Sequence, residues 1–120
     1  MSDLFAPAGG WRVRILDLSA TGTERVLEEV GGFPSLMVAN AFARRYVRDS
    51  VERCRGDGAS GRAVLDAWFA FGEDAEVVDA GEQGWRSHNE LHDFAARPAG
   101  AEECDWRSID PRRHREDDSP

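Results

Sequence analysis

The stretch FPSLMVANAFARRYVRDSVERCR, residues 33–55, leaves the middle of this chain little choice of conformation. Ala39, Phe42, Ala43, Tyr46, Val47, Ser50 and Cys54 recur at helical spacing, so a helix gathers them into one stripe where a strand would scatter them. Ser35 stands where its hydroxyl oxygen can accept a free backbone N–H, and Phe33 is placed to pack back on the first turn. Gly56 stops the run. On the other side Arg45 and Asp49, Arg48 and Glu52, and Asp49 and Arg53 are four apart, each a small stabilising pair. The spacing predicts a helix over 35–55, about five turns long.

Strands are expected on either side of it. WRVRILDLS alternates Trp11, Val13 and Ile15 with Arg12 and Arg14, which predicts a half-buried strand over 11–18. ATGTE supplies turn residues. RVLEEVGGF can return as a second strand over 25–30, closed by Gly31-Gly32, although Val-Leu-Glu-Glu-Val is also acceptable helix. Residues 63–71 fit a strand by alternation and a helix by the spacing of Leu65, Trp68 and Phe69. Ser60 as N-cap, the alanines and Gly72 as C-cap favour a helix over 61–71. AEVVDA then reads as a strand over 75–79. RSHNELHDFAARP carries a capping box, Ser87 with Glu90 three residues on, ahead of a helix over 87–97 with Leu91, Phe94 and Ala95 buried. The fold class expected is α+β in two layers: a small, mostly antiparallel three-stranded sheet packed by one long and two short helices, in the order ββααβα.

One hundred and twenty residues suit one domain over 11–98. A loose leader over 1–10 and an extended tail over 99–120 complete it. Trp106 and Ile109 would pin the tail to the body, and disorder is expected over 111–120. The net charge of −8 sets the whole chain against a nucleic-acid backbone or an anionic membrane, and toward a basic protein surface. All fifteen basic residues are arginine, so Schiff-base chemistry, pyridoxal attachment and a Walker lysine are ruled out. Cys54 and Cys104 lie far apart and outside any metal or disulfide spacing, which suits two reduced thiols in a cytoplasmic protein. Neither a signal peptide nor a membrane span is expected.

Five constellations could carry chemistry. Glu73 and Asp74, with Asp79 near, could form an acid–base pair or a cation site if one carboxyl were desolvated. Neighbouring acids in a turn usually point apart, and the favoured reading gives Gly72 a left-handed cap conformation with the acids accepting backbone hydrogen bonds. GDGASG at 56–61 matches a dinucleotide fingerprint but follows a charged helix end in place of a buried strand, so it reads as a helix–helix connector, and no cofactor is expected. His88 and His92, four apart in the last helix, could supply two zinc ligands, yet no third ligand is in view and an exposed polar face is favoured. Cys54 reads as a small buried hydrophobe whose thiolate a helix C-terminus disfavours. Trp85 and Trp106 flank loops, where an exposed indole could anchor a partner.

The segments GGFPSLMVANAFARRYVRDSVE and WFAFGEDAEVV resemble a family of small bacterial α/β proteins without assigned activity. The matches are Gly32 and Phe33, Ala39 and Ala43, Val47 to Val51, and Phe71 to Asp74. The first loop, DLSATGTE, departs from the longer aromatic and acidic loop of those proteins. That resemblance implies the element order and no chemistry. The strand–strand–helix opening is also similar in layout to HicB-type antitoxins, acidic partners of small toxic RNases. The leading functional expectation is an acidic cytoplasmic binding or accessory module acting through protein contacts, with an open sheet edge able to pair in a homodimer. The alternatives are a small enzyme or metal protein using Glu73, Asp74 and His88 or His92, and an antitoxin-like inhibitor of a basic protein.

Overall fold

The computed structural model describes residues 7–113. Strands β1 (Trp11–Asp17), β2 (Val26–Phe33) and β3 (Glu73–Val77) and helices α1 (Leu36–Arg53), α2 (Gly61–Phe71) and α3 (Leu91–Ala96) run in the order ββααβα. The sheet has the order β2-β1-β3 and is antiparallel throughout, with Val13 opposite both Val30 and Val77. This is the expected α+β class. Among the described residues no helix is long and apolar enough to cross a membrane.

Alternation along β1 does what the sequence implies. Trp11, Val13 and Ile15 join Val30, Phe33, Ala75 and Val77 in a core shared with Ala39, Phe42, Ala43, Val47 and Val51 of α1. Arg12 and Arg14, out of phase, form an ionic lattice across the outer face, with Arg12 3.0 Å from both Glu29 and Asp79. Arg14 lies 3.1 Å from Glu29 and 3.2 Å from Glu76. These groups are a third or more exposed, so the lattice adds little stability and mainly keeps the outer face wetted.

Local signals set the helix starts. The Ser35 hydroxyl accepts the Val38 N–H at 3.1 Å, and the Ser60 hydroxyl accepts that of Ala63 at 3.1 Å. Residues 61–71 are helix, and GDGASG connects it to α1. Phe33 packs deeper than the first turn of α1, its ring 4.9 Å from that of Phe42.

Strand limits differ from expectation by one residue at the end of β1 and the start of β2, and by more at the end of β2 and at both ends of β3, which closes at Val77 where 79 was expected. β2 continues through Gly31-Gly32 to Phe33, because a bulge and a positive φ at Gly32 keep the strand paired where a stop was expected. β3 begins at Glu73, two residues early, because the Leu18 N–H donates to the Gly72 carbonyl at 3.0 Å and extends the pairing with β1.

The capping box of the last helix does not form. Ser87 opens a 3-10 turn over Ser87–Asn89, and α3 begins only at Leu91. The Glu90 carboxylate accepts from Arg44 Nε at 2.8 Å, Arg44 Nη2 at 2.9 Å and Trp85 Nε1 at 2.7 Å. A charged bidentate partner outcompetes a backbone N–H for that carboxylate. α3 is held instead at its other end, where Arg48 and Arg55 donate to the carbonyls of Phe94, Ala95 and Arg97. Those are the carbonyls a helix C-terminus leaves without internal partners. Arg48, expected on the exposed side of α1, is fully buried in this role.

Beyond α3 the chain returns along α1 in two further 3-10 turns, Glu102–Cys104 and Arg107–Ile109. Trp106 and Ile109 pack against the core. Arg112 reaches Asp110 at 2.8 Å and Glu28 of β2 at 2.7 Å. Residues 111–113, within the stretch expected to be disordered, are placed and bonded, the Arg113 N–H donating to the Asp110 carbonyl at 3.1 Å; residues 114–120, His114 among them, lie outside the described residues. Of the leader, Pro7–Gly10 form a turn, the Gly10 N–H donating to the Pro7 carbonyl at 2.8 Å.

Candidate functional site

The last turns of α1 and the corner from α2 into β3 enclose a half-open recess of about 110 Å³. At its floor the Ser50 hydroxyl accepts the Trp68 indole N–H at 3.1 Å and the Glu73 backbone N–H at 2.9 Å, tying α1, α2 and β3 at one oxygen. On one wall Tyr46 Oη donates to the Glu73 carboxylate at 2.5 Å. Burial, then the adjacent carboxylate, push the Tyr46 phenol far above its ordinary range, so it serves as a donor at any physiological pH. On the other wall Asp49 accepts the Trp106 indole N–H at 3.0 Å and pairs with Arg53 at 3.0 Å.

Phe71 stands at the rim, 77 % exposed. Gly72 behind it is extended, with φ −85° and ψ −172°, and not left-handed as expected. Its need for glycine is steric, since a Cβ there would lie 2.3 Å from Trp68 Cδ1. Both α1 and α2 end at this recess, and helix C-termini add partial negative charge to the two carboxylates. Cys54 lines the edge, and burial pushes its thiol up, away from the thiolate a nucleophile needs. The groups that line the recess are carboxylates, aromatic walls, a hydroxyl and the Arg53 guanidinium.

The structure separates the acidic trio. Glu73 faces Tyr46 in the recess. Asp74, next along the strand, turns to the opposite side, where its Oδ1 accepts the Ala75 N–H at 2.8 Å. Burial raises the Asp74 carboxyl pKa, opposed by the Ala75 N–H and the Ser87 hydroxyl. Asp79 lies past the far end of β3 with φ 61° and is bound to Arg12. His88 belongs to the turn before α3 and His92 to α3 itself, both exposed, so one helix does not present the pair. Among the described residues no group of three or more His, Cys, Asp or Glu side chains could hold a metal ion.

Of the two tryptophans singled out, Trp106 lines the recess, its ring 5.0 Å from Tyr46 and 5.7 Å from Phe42. Trp85 is occupied within the fold, its backbone N–H on Asn40 Oδ1 at 2.8 Å and its indole N–H on Glu90. Sequence reasoning passed over Tyr46, Asp49 and Arg53 as a group. Their spacing of three and four along α1 is the signal that could have found them, since it puts all three on one helix face.

No protein-family model, curated protein or solved structure matches this chain. The likeness at Phe71 to Asp74 therefore stays a resemblance and brings no activity with it.

Proposed function

We propose that this chain is a small acidic cytoplasmic binding module that works through protein contacts, with the recess and its rim as the working surface. The observation that carries this reading is Phe71, 77 % exposed beside the carboxylates of Asp49 and Glu73; Phe69, two residues earlier on α2 and outside the recess lining, adds a second ring 56 % exposed. Phe71 is left largely in water and Phe69 is covered only in part, by the Trp68 ring 5.1 Å away, whereas fully covering a phenylalanine in a contact is worth about 2 kcal/mol. The net charge of −8 favours a basic partner.

The test compares affinity capture from the native host by the wild-type chain and by a Phe69→Ser, Phe71→Ser double variant of matching thermal stability. A protein retained by the first and lost by the second supports the proposal. Equal retention, or none by either, refutes it. A second contact could form at the outer edge of β2, where Val26 and Leu27 are 44 % and 50 % exposed, and self-pairing there would show as a dimer in light scattering.

A further inference from the structure

We infer that the recess receives the guanidinium of an arginine side chain carried by the protein partner, an inference that rests on the binding-module reading above. Two of the three charged side chains lining the recess are carboxylates, and the third, Arg53, is paired with one of them. Asp49 and Glu73 stand on opposite walls and two helices end against them, so an anion entering between the walls would meet carboxylates and carbonyl dipoles. A volume of about 110 Å³ admits the end of one side chain and excludes a nucleotide or a helix.

The aromatic rim selects among cations. Phe71 offers a ring face open to solvent, and a planar guanidinium can lie on a ring while its edge N–H groups reach carboxylates. An ammonium group is a more strongly hydrated point charge and gains less from that geometry. The fold already uses this pairing: Arg48 lies 4.6 Å from the centre of the Phe94 ring, and Arg107 4.3 Å from that of Trp106.

Arg53 supplies the most direct argument. Its guanidinium sits at the mouth of the recess, 3.0 Å from Asp49, with its side chain 64 % exposed. It is the chain's own example of the group this site accepts, held only by an exposed ion pair that an incoming arginine can replace. The Trp106 indole stays on Asp49 during the exchange, so the wall does not collapse.

The experiment is a titration of the full-length, ¹⁵N-labelled protein with acetyl-Gly-Arg-Gly-amide, followed at the Trp106 indole N–H and the Glu73 amide. The same peptide with lysine or citrulline, and free L-arginine, are the other arms. Saturable shifts in the millimolar range are expected for the arginine peptide, weaker ones for lysine and none for citrulline. Free arginine, whose α-ammonium and carboxylate offset each other, should bind no more tightly than the peptide. Arg53→Ala should tighten the arginine peptide by about two- to fivefold, the equivalent of one exposed ion pair. Phe71→Ser should weaken it by a similar factor. Equal binding of citrulline, tighter binding of free arginine, shifts mapping elsewhere, no saturable shift at all, or loss of binding in Arg53→Ala would each overturn the inference. Capture that depends on Phe69 and Phe71 without any arginine response would sink this inference alone. An arginine response without a captured protein would sink the module and leave the recess as a guanidinium site.

Discussion

Arg48 Nη1 lies 2.7 Å from the carbonyl oxygen of Phe94, and Arg55 Nη2 approaches the same oxygen at 2.8 Å. One acceptor at the end of α3 thus joins two guanidiniums from the end of α1 and the residues after it. Because either donor can satisfy that buried carbonyl, each covers for the other. Arg48→Met and Arg55→Met should each cost about 1–3 kcal/mol in urea unfolding. The double variant should lose more than the sum, since Phe94 is then left without either donor. Strict additivity would show that the two act separately.

Gly72→Ala isolates a close approach from a backbone preference. The backbone there is ordinary extended chain, yet a Cβ would meet Trp68 Cδ1 at 2.3 Å, Nε1 at 2.8 Å and the Trp68 carbonyl at 2.8 Å. The substitution should cost about 1–3 kcal/mol by overpacking and shift the near-ultraviolet signal of Trp68. In a Trp68→Leu background the same change should cost less, as a thermal-unfolding cycle would read. An unchanged cost would place the strain on the carbonyl contact.

Sequence reasoning succeeded where local physics decides the outcome. Ser35 and Ser60 cap their helices, and the alternation at Trp11, Val13 and Ile15 sets the buried face of β1, because these effects need only near neighbours. It failed where a distant partner won. Glu90 goes to Arg44, and Arg48 is buried under Phe94, each 46 residues away in the chain. The site was half legible. Glu73 and Trp106 were singled out, but their meeting through Tyr46 and Asp49 depends on the return of the chain beyond α3 across α1.

Two carboxylates should give opposite pH signatures. Arg44 holds the Glu90 carboxyl below its ordinary pKa, helped by the Trp85 indole and opposed by burial, so its folded pKa lies under the unfolded value. Its stabilisation is present above the unfolded pKa and is lost as pH falls through the folded one. Glu90→Gln should therefore destabilise at pH 7 and converge with the wild type in acid. Asp74 is the reverse: burial raises its folded pKa, so ionisation makes the fold less stable as pH rises from the unfolded pKa through the folded one. Asp74→Asn, which keeps an oxygen for the Ala75 N–H, should gain on the wild type over that interval and hold the gain at pH 7. Denaturation midpoints taken between pH 3 and 7 would test both; parallel curves for either variant would contradict the assignment.

Trp106 joins the returning chain to the core through one hydrogen bond and two ring contacts, on Asp49, Tyr46 and Phe42. Its neighbours in that segment hold by exposed contacts, such as Arg45 on the Asp105 carbonyl at 3.0 Å. Trp106→Ala should accordingly cost about 2–4 kcal/mol, somewhat below a fully buried tryptophan. The loss should be local. Hydrogen exchange should quicken over 101–113, while Val13 and Ile15 in the central strand keep amide protection in proportion to the remaining global stability. The recess would lose one wall and free Asp49, so Arg53 should hold that carboxylate more firmly. A uniform loss of protection along the chain would instead make the segment beyond α3 an integral part of the folding unit.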